Sequence, residues 1–297
     1  MPDNDTLQRF MFEKTPVRGE IVHLDATWQA ILQKHDYPGL VRDILGEMMA
    51  AAVLLAATLK LNGRLVIQLQ GKGPITLMVV ECSNARELRG LAHWQNLPDK
   101  GDLMTLAGDG QLTITLEPTD EQERYQSIVE LQGKSLSDAV MNYLQQSEQL
   151  DTHLWLAANG HRASGLLLQK LPDEARFEGF DESDVDAWNR ITTLSSTVTR
   201  EELLEVEGLN LLHRLFHEEI VRVFEPLPVC FRCSCSRERV ANMLRSLGIN
   251  ELVSIIEEQS NVGVACEFCN QKYEFDSVDV EDMFANTVSH VPSGTRH

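Results

Sequence analysis

Positive charge is scarce in this chain. Its 297 residues hold 26 lysines and arginines against 45 aspartates and glutamates, a net charge of −19. That field repels nucleic-acid phosphates and anionic membrane surfaces over most of the molecule, so neither a nucleic-acid nor a membrane partner is expected. Long hydrophobic runs are missing as well. The most apolar stretch, MMAAAVLLAATL from Met48 to Leu59, is bounded by Glu47 and Lys60. It falls short of the roughly 20 residues that cross a bilayer and reads as a buried helix. The opening MPDNDTLQRF has no basic start, no apolar segment and no small-residue cleavage site, which are the marks of an export signal, so the expected location is the cytoplasm. No internal repeat or low-complexity tract appears. No nucleophile, base and orienting group come together as a catalytic set, so no catalytic residue is assigned and an enzyme is not expected.

What is present falls into three parts. Residues 1–172 mix helical and strand periods: TWQAILQKHD and PGLVRDILGEMMAAAVLLAATLK carry apolar residues at helical spacing, with Pro38 placed in the first turn of the second. RLVIQLQ, PITLMVVEC, ELRGLAHW, QLTITLEP and ERYQSIVEL follow as short β-rich runs divided by Gly and Pro. SLSDAVMNYLQQSEQ is one more helix, and THLWLAA and SGLLLQKL are two further strands. The expected fold class is α+β: an N-terminal, mainly antiparallel sheet domain with helices, a helical linker and a small C-terminal domain.

Residues 173–225 form the linker, where 14 acidic residues stand against 5 basic ones. Val185, Trp188, Ile191 and Leu194 recur every three residues, and Thr199 to Glu202 has the pattern of a capping box ahead of LLEVEGLNLLHRLFHEE. Gly208 is expected to break that stretch and Asn210 to cap its second half. Helices this short take their stability from docking, so the segment's order is borrowed.

Residues 226–297 contain five of the six cysteines. Cys233 and Cys235 are separated by 30 residues from Cys266 and Cys269, and two close pairs of thiols flanking a hairpin-sized insert suit a closed tetrahedral zinc site. Asn270 tolerates the left-handed backbone often needed after such a pair, and Tyr273 and Phe275 alternate as a strand would. In a reducing compartment clustered cysteines point to metal or redox chemistry rather than to a disulfide framework. Arg232, Arg237, Arg239 and Arg245 surround the first pair with only Glu238 opposing them; they read either as a solvated helix face or as a neighbourhood that favours thiolate over thiol and reaction with oxidants. A disulfide across Cys-x-Cys would close a small, strained ring of the labile kind.

CSCSRER followed by CEFCNQKYEF closely resembles the C-terminal zinc module of the heat-shock protein 33 family, bacterial redox-regulated holdase chaperones. RFMFEKTPVRGEIV, HDYP, LQGKGP, ERYQSIVEL, QQSEQL and LFHEE resemble segments of that family in the same order. The resemblance implies a reduced state in which one zinc ion per chain, on Cys233, Cys235, Cys266 and Cys269, keeps chaperone activity off. It further implies that oxidation pairs Cys233 with Cys235 and Cys266 with Cys269, releases zinc and lets the linker unfold. The exposed apolar surface would then hold unfolding client proteins, in a form associated with a homodimer, until reduction allows hand-over to an ATP-dependent chaperone system. Cys230 departs from the family pattern by adding a Cys-x-x-Cys option with Cys233, and is read as a spare thiol.

Other signals point to structure. His213 and His217 have the spacing of two ligands on one helix face but no metalloprotease Glu, and are assigned a solvated or core-edge role. GKGP at Gly71 lacks the spacing of a phosphate loop and reads as a hairpin turn. Cys82 ends an apolar strand as a buried, inert thiol. Two rival classes remain on the sequence alone: a zinc-ribbon nucleic-acid-binding regulatory protein, supported by the arginines and opposed by the acidic total, and a structural zinc domain on an unknown enzyme.

Overall fold

The computed structural model describes residues 4–58, 62–119, 123–131, 133–147, 149–172, 184 and 186–285. The chain divides between Arg232 and Cys233 into two compact units. Residues 173–183 and Val185 of the acidic segment lie outside the described residues.

The first unit opens with β1 (Thr6–Phe12), β2 (Val17–Leu24), α1 (Ala26–Leu32) and the long α2 (Gly39–Thr58). Then come β3 (Gly63–Gln70), β4 (Ile75–Ser83), β5 (Glu87–Trp94), α3 (Leu103–Ala107), β6 (Gln111–Pro118) and β7 (Tyr125–Glu130). After α4 (Leu136–Ser147) the hairpin β8 (Thr152–Ala158) and β9 (Ala163–Lys170) returns the chain to the start. These strands make two sheets. One has the order β1-β2-β9-β8 and the other β5-β4-β3-β6-β7, every one of these pairings being antiparallel.

The apolar run of α2 packs against strands of both sheets. It buries residues on all sides, from Val41 through Met48, Met49 and Val53 to Leu55, which is why its pattern is apolar all round rather than striped. Gly46 lets it approach the β8–β9 hairpin, since a Cβ there would stand 2.4 Å from that of Ala158. Beside it the Trp28 indole donates to the Asn159 carbonyl at 2.8 Å, giving a fully buried ring its polar partner.

On the other face of the first sheet lie three short helices, α5 (Ala187–Ser195), α6 (Arg200–Glu205) and α7 (Gly208–Phe216). Ile191, Leu203, Leu204, Leu211, Leu212, Leu215 and Phe216 form one core with Phe10, Phe12, Val17, Ile21, Leu166 and Leu168 of the strands. Trp188 and Leu194 pack against its margin. Phe216 meets Phe12 edge-on at 5.0 Å between centroids and Phe10 at 6.2 Å. The capping box forms as the sequence predicts: Glu202 N–H donates to Thr199 Oγ1 and Thr199 N–H to the Glu202 carboxylate, both at 3.1 Å. Asn210 does not cap α7. The helix starts earlier, at Gly208 after Glu207, and Asn210 sits within its first turn with its amide 3.5 Å from the Glu207 carboxylate. The reason is apolar: the earlier start places Leu211 and Leu212 in the buried stripe with Leu215 and Phe216.

Polar ties hold these helices down. Arg162 donates to the Leu204 carbonyl at 2.8 Å, and Arg200 reaches the Ala158 carbonyl and the Glu47 carboxylate, the latter at 2.9 Å. Arg190 bridges Asp184 at 2.6 Å and Glu219 at 2.8 Å. The chain then adds β10 (Val221–Val223) and β11 (Leu227–Pro228) beside β1, and β12 (Cys230–Phe231) in parallel beside β5.

The second unit holds α8 (Arg237–Leu247), α9 (Ile249–Gln259), the hairpin β13 (Val262–Ala265) and β14 (Lys272–Phe275), and α10 (Ser277–Ala285). Among its described residues the buried apolar core is Val240, Ala241, Leu244, Leu252, Val262, Phe275, Val280 and Met283. So small a core buries too little surface to be secure unaided.

Candidate metal centre

Two short pieces of backbone deliver the four predicted sulfurs. Cys233 and Cys235 precede α8, whose N-cap Ser236 accepts from Arg239 N–H at 3.2 Å. The Arg239 guanidinium turns back to the Ser234 carbonyl at 2.8 Å and pins the peptide between the two cysteines. Cys266 and Cys269 sit in the turn between β13 and β14, where the N–H groups of Cys269 and Asn270 both donate to the Cys266 carbonyl, at 3.3 and 2.7 Å. Asn270 has φ of 58°, the left-handed conformation anticipated for it.

The Sγ atoms of Cys233, Cys235, Cys266 and Cys269 all lie within 4.8 Å of one another. Cys233 is 3.7 Å from Cys266 and Cys235 is 3.4 Å from Cys269. Four thiolates around one zinc at about 2.3 Å stand about 3.8 Å apart, so the donor set fits that ion. The Tyr273 hydroxyl on β14 adds a hydrogen bond to the Cys235 sulfur at 3.2 Å; sequence periodicity marked this residue only as part of a strand. Burial pushes the Cys266 and Cys269 thiols up from their ordinary range, and the surrounding sulfurs push Cys269 further. A cation bound among the sulfurs would take the place of the protons on Cys266 and Cys269.

The arginines expected to activate these sulfurs have other partners. Arg237 reaches Asp279 at 2.7 Å and the Glu274 carbonyl at 2.7 Å, and its guanidinium lies 4.2 Å over the Phe275 ring. Arg245 donates to the Met283 carbonyl at 2.9 Å, and Arg232, in the first unit, pairs with Glu87 at 2.6 Å. They brace helix and strand packing. Cys230 is exposed in β12 and does not belong to the sulfur cluster. Cys82 is buried in β4, and burial pushes its thiol up to about 12. Gly71 to Pro74 join β3 to β4 as a hairpin connection, with the N–H groups of Lys72 and Gly73 on the Ala107 carbonyl at 2.8 and 3.0 Å.

A family profile described as Hsp33 protein matches residues 5–276. The chain belongs to the Hsp33 family. It is 48% identical over 298 residues to a 33 kDa chaperonin of Methylobacillus flagellatus, and 49% identical over 300 residues to one of Azotobacter vinelandii, each match covering 100% of both chains. The crystal structure of the Hsp33 homolog of Thermotoga maritima superposes with a TM-score of 0.81 at 22% identity, over 96% of this chain and 99% of that one, and so shares the fold. Membership in the Hsp33 family supports a chaperone function and the binding of unfolded client proteins that such a function entails. No helix among the described residues is long and apolar enough to cross a membrane.

Proposed function

We propose that the protein is a redox-regulated holdase, silent while its four clustered cysteines are reduced and hold one zinc ion, and active once they are oxidised. The observation that carries this reading is the convergence of four sulfurs within 4.8 Å in a unit that buries eight apolar residues in its core among the described residues. Bound there, zinc would supply about 10–16 kcal/mol to a unit otherwise near the limit of stability. Cys233, Cys235, Cys266 and Cys269 would be its ligands, with Tyr273 orienting Cys235.

Peroxide chemistry acts on the sulfurs. One thiolate attacks a peroxide oxygen and becomes a sulfenic acid as hydroxide leaves. A second thiolate then attacks that sulfur, forming the disulfide and expelling a second hydroxide, so two electrons pass to each peroxide. Cys233 with Cys235 and Cys266 with Cys269 are the pairs we assign. A disulfide sulfur no longer carries the thiolate charge that a zinc site needs, so each bond formed removes two ligands.

Residues 173–225 act in this reading as the metastable linker between a core of residues 1–172 and a switch domain of residues 226–297. The chain runs from α7 through β10, β11 and β12 straight into Cys233, so loss of order in the switch domain withdraws the C-terminal anchor of three short helices. Their release uncovers Phe10, Phe12, Ile21, Leu166 and Leu168 together with their own apolar faces. That surface is chemically suited to hold unfolded clients. Work in the cytoplasm, a homodimer in the oxidised state, hand-over to an ATP-dependent chaperone system, and the absence of any catalytic or nucleic-acid role complete the proposal.

The test is aggregation suppression of a chemically denatured client, measured before and after peroxide at elevated temperature, with a zinc indicator present. Activity that rises as one zinc per chain appears supports the reading. A Cys266→Ser protein that kept full zinc with unchanged affinity would sink it.

A further inference from the structure

We propose that His213 and His217 form a second metal site, a two-imidazole chelate for a borderline divalent cation of the zinc class, which clamps α7 in its docked conformation. The two rings lie one turn apart on the same exposed face, 6.5 Å between centroids and 35° between planes. Leu211, Leu212, Leu215 and Phe216 form the opposite, buried face, so neither imidazole is needed to hold the core. Imidazole nitrogens bind such cations at about 2.0–2.1 Å, and rotation of two solvent-exposed side chains brings a nitrogen of each to one ion.

The position suits a cation on two further grounds. His213 is in the last turn of α7 and His217 is its C-cap, still with helical φ and ψ of −62° and −19°, where carbonyl ends favour positive charge. The Glu218 carboxylate stands 3.9 Å from His217 Nε2, and residues 173–225 carry 14 acidic against 5 basic side chains, so the surrounding field attracts a divalent ion. Arg214, the basic neighbour between the two histidines, faces Glu202 at 3.9 Å.

The spacing exists only while α7 is helical. An ion that binds the helix and not the unfolded chain favours the helix by the factor 1 + [ion]/Kd. The site therefore opposes release of the linker, a consequence that rests on the function proposed above, whereas binding itself does not.

Full-length reduced protein, titrated with Zn2+ against an indicator, should show two classes: one tight equivalent and a weaker second. His213→Gln and His217→Gln, both at exposed positions, should each abolish the second and keep the first. At free Zn2+ tenfold above the second Kd, hydrogen exchange of the α7 amides should slow about tenfold in the wild type and remain unchanged in both variants. A single class, or a second class that survives either substitution, would overturn the site. Binding at the second site without slower α7 exchange would overturn the clamp. Loss of the tight class alone would count against the four-thiolate reading and leave the histidine pair measurable.

Discussion

The Tyr273 hydroxyl donates to the Cys235 sulfur across 3.2 Å, from a residue 38 positions further along the chain. It joins the β13–β14 hairpin to the cysteines before α8, and it gives one of the four sulfurs a hydrogen bond from a side chain that is not itself a ligand. Groups that orient ligands in this way typically change metal affinity about 10–100-fold when removed. Tyr273→Phe should therefore weaken zinc binding by roughly tenfold while leaving the fold of the first unit intact. Competition with a chelator measures it, and an unchanged affinity would remove Tyr273 from the site.

Cys230 should be dispensable. It is exposed on β12, its N–H donates to the Arg86 carbonyl at 3.2 Å, and it stands outside the sulfur cluster. Cys230→Ser should bind one zinc normally and still activate with peroxide. If zinc binding is lost instead, the ligands must be redrawn as Cys230 and Cys233 with Cys266 and Cys269.

Much of this arrangement is legible in the sequence because its causes are local. The Cys-x-Cys and Cys-x-x-Cys pairs, the left-handed Asn270 and the Thr199 capping box are each set by residues within a few positions of one another. The β3–β4 hairpin and the all-apolar α2 announce themselves by period in the same way. The role of Tyr273 is not local, since only the β13–β14 pairing turns it toward Cys235. Arg232, Arg237 and Arg245 mislead as activators because charge near a cysteine in sequence says nothing of which acceptor a long side chain reaches; Arg237 finds Asp279 on α10, whereas Arg239 stays at the Ser234 carbonyl between the first two cysteines. Asn210 misleads because burial of Leu211 and Leu212 decides where α7 begins, against the capping preference of one side chain. The paired cysteines also leave their oxidised partners open. The two close contacts run across the pairs, Cys233 to Cys266 and Cys235 to Cys269, while the assigned disulfides run within them, and peptide mapping of the oxidised protein distinguishes the two.

Phe216 should set the threshold for activation. Its ring is buried against Phe10 and Phe12, and removing such a side chain costs about 3–5 kcal/mol. Phe216→Ala should loosen the α5–α7 layer and give measurable aggregation suppression without oxidant at temperatures where the wild type is silent. If the variant still needs peroxide to the same extent, the docked helices are not what holds activity off.

Glu20 should make the first unit less stable as pH rises. Its side chain is buried in β2, Oε2 has no hydrogen-bond partner among the described residues, and burial pushes the carboxyl from 4.5 up to about 7 against the pull of Arg18 and Arg9. Below 4.5 both folded and unfolded states are protonated and the group is neutral to stability. Between 4.5 and 7 the unfolded state ionises first, so stability falls through that window and levels off above it. The full span is worth at most about 3 kcal/mol. In urea unfolding followed by tryptophan fluorescence, Glu20→Gln should gain on the wild type between pH 4.5 and pH 8; parallel pH profiles would refute the assignment.

Hydrogen exchange on reduced and peroxide-treated protein at elevated temperature, with aggregation suppression measured on the same samples, tests the coupling most directly. Coupling through the linker requires residues 187–216 to become exchange-labile as activity rises, while β3, β4 and β6 stay protected. Full activity with α5–α7 as protected as those strands would contradict it, and would move client binding to a surface that the linker helices do not cover.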